Sequence, residues 1–182
     1  MAEVRVGILM GSASDRPAME EAGKALDELG VGWELRVLSA HRTPEAVREY
    51  LRGAPGRGIR VLIAGAGMAA HLAGVSAAGT DLPVIGVPMG GPALGGLDAL
   101  LSTVQMPPGI PVATMGIGGP GARNAGLFAA RILALSDKRV ARAYRRFAEG
   151  QTEKILAADR ALQDERGRKK RASAKKNAAR KG

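Results

Sequence analysis

Ser39-Ala40-His41-Arg42-Thr43-Pro44 joins a strand-like run, Trp33 to Leu38, to a stretch with helical spacing that starts at Pro44. Proline at a first helical position gives up no hydrogen bond and presets φ, and the threonine before it can cap the free amides of the first turn. His41 and Arg42 therefore stand on a strand-to-helix loop. In a parallel α/β sheet such loops lie at the carboxyl ends of the strands, the edge at which these folds hold their ligands. An imidazole beside a guanidinium there offers a proton carrier next to an anion site, so a functional role for His41 outweighs a structural one.

The same alternation runs outward in both directions. Val4 to Met10 reads as a first strand, Gly11-Ser12-Ala13-Ser14-Asp15 as its loop, and a helix follows from near Pro17 with Met19, Ala22, Leu26 and Leu29 at helical spacing, closed by Gly30. The helix after His41 is expected to reach about Arg52, with a turn over 53–58. A third strand, Ile59 to Ala64, leads through Gly65-Ala66-Gly67-Met68 into a small-residue helix from about Ala69 to Ala78. Pro83 to Val87 is a fourth strand, Pro88 to Gly96 a glycine-rich loop, Leu97 to Thr103 a short helix, and Gln105 to Pro111 too proline-rich to be regular. Val112 to Met115 is a fifth strand and Gly116 to Gly121 a flexible loop. Ala122 to Leu135 is then a helix whose Leu127, Arg131 and Leu135 are set to cover the sheet, and Lys138 to Gln163 a last one. Parallel strands require crossover connections, and five of them alternating with helices give a three-layer α/β fold, for which a flavodoxin-like strand order is expected.

The chain has 182 residues, 46% of them apolar, enough for one well-buried core. It has no cysteine, which removes disulfides, thiolate nucleophiles and cysteine-ligated metal centres. The net charge of +10 suggests nucleic acid until it is located: nine of the basic residues follow Glu165 with no acid among them, leaving 18 against 17 acids before it. Residues 1–165 are thus expected to form a single catalytic domain, and 166–182 a basic, disordered tail, either simply solvated or an arm for nucleic acid or another anionic surface. The first ten residues enter a strand directly and no apolar run approaches about 20 residues. A cytoplasmic protein without a membrane segment is the simplest expectation.

Three further features bear on a site. The amides and hydroxyls of Ser12 and Ser14 converge where a helix dipole favours an anion, while Asp15 suits sugar hydroxyls; that Ser14 or Asp15 merely caps the helix is equally open. Gly65-Ala66-Gly67-Met68-Ala69-Ala70 and Gly116-Ile117-Gly118-Gly119-Pro120-Gly121 match glycine fingerprints, but neither has the acid a dinucleotide site wants about 20 residues on. They read as backbone brought close to a ligand, or as structural turns. His71 is the only other histidine; two histidines without a His-Glu-x-x-His spacing argue against a metal, and a buried, backbone-bonded ring is the plain alternative.

Taken together, Met10-Gly11-Ser12-Ala13-Ser14-Asp15, the Ser39 to Pro44 run, Ala64-Gly65-Ala66-Gly67-Met68-Ala69-Ala70-His71-Leu72, Gly86-Val87-Pro88 and Val104-Gln105-Met106-Pro107 resemble the N5-carboxyaminoimidazole ribonucleotide mutases of purine biosynthesis, the PurE-type proteins. The resemblance covers residues 4 to about 157. It implies a cytoplasmic homo-octamer with sites at subunit junctions, acting on a small ribonucleotide and using no ATP, metal, biotin or other cofactor. By matching position it implies that Ser12 and Arg42 hold the 5′-phosphate, with Ser14 and Ser39 in the same pocket, that Asp15 binds ribose hydroxyls and that His41 carries protons. Gly65, Ala66, Gly67 and His71 would border the imidazole and the moving carboxylate. A related branch carboxylates aminoimidazole ribonucleotide directly; there the histidine is typically followed by lysine, so Arg42 favours the mutase. Met68, Ala73 and Gly90-Gly91 depart from the common pattern, where glycine, proline and a Gln-Ser pair are frequent. A non-catalytic phosphate-ligand module of the same fold is the alternative of another class.

Overall fold

The structure, a computed structural model, describes residues 3–179. Its elements are β1 (Val4–Met10), α1 (Arg16–Glu28), β2 (Gly32–Val37), α2 (Pro44–Gly53), β3 (Val61–Ala66), α3 (Leu72–Ala78), β4 (Val84–Pro88), α4 (Leu97–Val104), β5 (Ala113–Thr114), α5 (Gly118–Ala134) and α6 (Lys138–Ala179), with short 3-10 turns at Ala13–Asp15 and Pro55–Arg57. All strand pairs are parallel, in the order β2-β1-β3-β4-β5. This is the flavodoxin-like order expected from the alternation. Ile8 stands opposite Leu35 on one side and Ile63 on the other, and Ile63 opposite Ile85. Helices cover both faces, so the inner strands are continuous apolar runs rather than alternating ones.

Successive residues of β3 show the two faces. Ala64 belongs to a cluster with Leu9, Leu62, Val47, Tyr50, Leu51 and Leu72, the layer supplied by α2 and α3. Gly65 faces the other way, where the Met19 thioether of α1 fills the space a Cβ would need. On that side α1 and α5 lie against each other through Ala22, Ala25, Ala122, Ala125 and Ala129. The helices approach so closely that a methyl at Gly126 would overlap the Ala22 carbonyl.

The α5 region differs from expectation in two ways. Its helix starts at Gly118, so 118–121 form the first turn rather than a flexible loop. Pro120 is tolerated there because first-turn amides have no intrahelical partner. The buried side is Ala122, Ala125, Ala129, Ala130 and Leu133, whereas Leu135 is 90% exposed and Arg131 lies over the Tyr144 ring at 5.6 Å. Small residues win the inner face because only they permit the close contact with α1.

Residues up to Tyr144 form one compact unit and those from Arg145 a second. The helix α6 runs from Lys138 to Ala179, past the end near Gln163 that the spacing predicts. Alanine, lysine and arginine, which dominate this stretch, are all strong helix formers. The last residues, 180–182, lie outside the described residues. Among the described residues, no helix is long and apolar enough to cross a membrane.

Candidate active site

The carboxyl ends of β1, β2, β3 and β4 open into one cavity of about 480 Å³. Its wall takes Ser12, Ser14 and Asp15 from the loop after β1, Ser39, His41 and Arg42 from the loop after β2, Ala66 from the end of β3, Gly67 and His71 from the β3–α3 connection, and Met89 to Pro92 from the loop after β4. The chain leaves β1 for β2 on one side and returns to β3 on the other, and the crevice left at such a switch point is where open α/β sheets hold ligands.

Arg42 ties the loop after β2 to the loop after β1. Arg42 donates from Nη2 to the Gly11 carbonyl at 2.6 Å and from Nε to Ser39 Oγ at 3.3 Å. That uses two of five guanidinium N–H groups and leaves others for an anionic ligand. The Ser14 hydroxyl and amide both donate to Ser12 Oγ, at 2.8 and 3.3 Å, so the Ser12 proton is left to donate elsewhere. Neither Asp15 nor Thr43 makes the side-chain helix cap that the sequence allows. Thr43 Oγ1 instead accepts from the Ser39 amide at 2.9 Å and donates to the Ser39 carbonyl at 3.1 Å, closing the loop that carries His41. Asp15 is pushed above the ordinary carboxylate range by partial burial, which the Ser14 hydroxyl and Ser12 backbone oppose.

His71 is not a buried structural histidine. It is exposed, at the N-terminus of α3, and its Nδ1 lies 2.8 Å from His41 Nε2. The rings meet edge to face with centroids 4.9 Å apart. The two nitrogens share one proton, so whichever ring donates, the other accepts. Before His71 the chain turns sharply: Met68 has φ 55°, the only positive φ outside glycine among the described residues.

Of the residues singled out from the sequence, all but Gly65 line the cavity. Gly65 is the fifth residue of β3, one position short of the opening, and its missing side chain accommodates Met19. Met89, Gly90, Gly91 and Pro92 line it without having been named as site residues; the signal available was a glycine-rich loop directly after a strand. Among the described residues no group of three or more His, Asp or Glu is arranged to hold a metal ion.

Fold and cavity define an α/β protein with a single-chain cavity at the carboxyl edge of its parallel sheet, lined by serines, an arginine and a histidine pair. A family model described as AIR carboxylase matches residues 5–154, and the chain belongs to that family. It is similar to the N5-carboxyaminoimidazole ribonucleotide mutase of Vibrio parahaemolyticus, with 53% identity over 154 residues, 85% of this chain and 96% of that protein. The mutase of Bacillus subtilis is 59% identical over 137 residues, 75% of this chain and 85% of that protein. That of Pyrococcus abyssi is 62% identical over 131 residues, 72% and 74% of the two chains. Among solved structures, Treponema denticola PurE superposes with a TM-score of 0.79 at 32% identity, covering 86% of this chain and 97% of that one.

Proposed function

We propose that this chain is an N5-carboxyaminoimidazole ribonucleotide mutase, an isomerase that moves the carboxylate of its substrate from N5 to C4 in purine biosynthesis. The observation that carries the reading is the His41–His71 pair in a cavity that Ser12 and Arg42 also line, in a chain 52–62% identical to mutases over most of its length. The chemistry is redox-neutral. The N5–carboxyl bond breaks to release carbon dioxide, the enaminic C4 carbon attacks it, one proton is taken up at N5 and one leaves C4. A single proton carrier returned to its starting state satisfies that balance, and His41 is that carrier in this reading. His71 lets it do so without lasting charge: as one nitrogen of the pair loses a proton, the shared proton can shift.

Arg42 and Ser12 hold the phosphate, with Ser14 and Ser39 beside them. Asp15 accepts from the ribose, and Gly67 and Ala66 leave backbone bare beside the imidazole. No cofactor enters this scheme. The protein works in the cytoplasm as a homo-octamer. Supporting association, Leu94, Leu97, Leu101 and Val104 lie on one side of α4 and the turn before it, 61%, 50%, 45% and 53% exposed, an apolar stripe that a second copy would cover.

The test is incubation with N5-carboxyaminoimidazole ribonucleotide, following the 4-carboxy product by absorbance, beside a second reaction with aminoimidazole ribonucleotide and bicarbonate. Conversion of the first alone supports the mutase. Efficient use of the second identifies a direct carboxylase, and no turnover of either leaves a binding module. Light scattering on the same sample reads the oligomer.

A further inference from the structure

The turn that presents His71 is strained, and a residue outside the cavity holds it. Met68 is 70% exposed in a left-handed conformation that side chains other than glycine adopt only when their surroundings impose it. Ser102 of α4 supplies that constraint. Its Oγ accepts the Ala70 amide at 3.0 Å and lies 3.3 Å from the Met68 carbonyl, so it brackets the turn from both ends. The Ala99 carbonyl, at 3.2 Å, competes for the single hydroxyl proton, whereas the bond from Ala70 uses a lone pair and persists whichever carbonyl is served. Beyond the clamp the path is short. Ala70 is 1% exposed, the His71 amide donates to the Ala69 carbonyl at 2.8 Å, and the His71 ring reaches His41.

We propose that Ser102 is a positioning residue for the histidine pair: by clamping the 68–70 turn to α4, it sets where the His71 ring stands against His41 during proton transfer. Ser102 does not line the cavity. Its effect therefore falls on turnover, because misplacing a reacting group by about 1 Å costs up to about 10²-fold in rate. The phosphate end, held by the β1 and β2 loops, is untouched. The inference rests on the mutase reading for its catalytic part.

The experiment compares Ser102→Ala with Ser102→Thr. Alanine removes the hydroxyl in a helix that alanine favours, so folding is not at risk, and threonine retains the hydroxyl. Expected for Ser102→Ala are a kcat reduced roughly 10-fold to 10²-fold, an unchanged KM and an altered pH profile, with recovery in Ser102→Thr. A second readout needs no substrate. In protein labelled with methyl-13C methionine, the Met68 signal, assigned by Met68→Leu, should shift in Ser102→Ala and return in Ser102→Thr. The signal of buried Met19 should stay fixed. An unmoved Met68 signal overturns the clamp. A moved signal with wild-type kcat, or a kcat loss that threonine does not restore, overturns the positioning role. Absence of mutase turnover in the wild type overturns the functional reading instead, and the Met68 spectrum still decides the clamp.

Discussion

His41 Nε2 stands 2.8 Å from His71 Nδ1 although 30 residues separate the two, because β2 and β3 flank β1 and their loops lean together over its end. That contact is the part of the site most dependent on the sheet order, and it joins the two imidazoles by one hydrogen bond.

Replacing His41 by asparagine keeps a polar side chain of similar reach but no titratable proton. Loss of one acid/base group typically costs about 10²–10⁴-fold in rate. We expect turnover of His41→Asn to fall by that order while the affinity for aminoimidazole ribonucleotide, measured by calorimetry, changes little. Wild-type turnover in this variant would remove His41 from the chemistry.

Arg42 joins the β1 loop to the β2 loop through the Gly11 carbonyl and Ser39 Oγ while keeping donors for an anion. Charge-assisted hydrogen bonds contribute about 1.5–3 kcal/mol each, so Arg42→Ala should weaken ligand binding roughly 10-fold to 10²-fold. Lysine, a point charge without the planar fork, should restore only part of this. An unchanged dissociation constant for Arg42→Ala would place the phosphate elsewhere in the cavity.

Much of this was legible in the sequence, for physical reasons. Buried parallel strands must be apolar on both faces, so runs such as Val61-Leu62-Ile63-Ala64 announce themselves, and Thr43-Pro44 places His41 on a strand-end loop. What stayed hidden depends on three-dimensional neighbours. The first glycine of 65–67 looks like backbone offered to a ligand, but Gly65 is glycine because Met19 packs against it. The glycines of 116–121 look like a flexible loop, but Gly121 allows the chain to pass the Gly116 carbonyl within the first turn of α5. Composition alone cannot tell a glycine needed for close approach from one needed for motion. The His41–His71 contact was hidden because a strand order brings two loops to one edge of the sheet without fixing where either ring points.

Met68 offers a stability test. A non-glycine residue held in the left-handed region costs of order 1–3 kcal/mol, while glycine adds unfolded-state entropy of up to about 1 kcal/mol. Being 70% exposed, the Met68 side chain contributes little burial to offset the strain. Met68→Gly should therefore raise the unfolding free energy by roughly 1 kcal/mol, read as a higher urea midpoint with unchanged slope. A lower midpoint would mean that the side chain packs in a way the strain argument omits.

Asp137 accepts from the amides of Arg139 and Val140 at the start of α6 and from Arg5 at 2.7 Å. Those amides first, and Arg5 after them, hold its carboxyl below the ordinary range. A depressed folded-state pKa means that the contribution is fully present above the unfolded value near 3.8 and is lost as the pH falls through the folded value. Asp137→Ala should thus be less stable than wild type at neutral pH, and the gap should close below about pH 4. Urea midpoints of the two proteins between pH 7 and pH 3 would show it, and a gap independent of pH would rule out this linkage.

The basic C-terminal stretch should be dispensable for catalysis. The family match ends at residue 154, the chain from Arg145 forms a compact unit of its own, and the residues that line the cavity end at Pro92. Nine of the ten net positive charges follow Glu165, so the body needs no counter-charge from them. From Gly167 onward there is no Leu, Ile, Val, Met or aromatic residue, so the helix to Ala179 has no apolar stripe with which to dock on the body. Truncation after Glu165 is expected to leave the oligomer size and the mutase rate unchanged, and to reduce binding to polyanions such as heparin or duplex DNA. Any such binding by the full chain should fall steeply with salt, because it rests on counterion release rather than on a shaped site. Light scattering, the mutase assay and a salt titration of DNA binding on the two proteins decide this. A smaller oligomer or a lost rate in the truncated protein would make the basic helix part of the working enzyme.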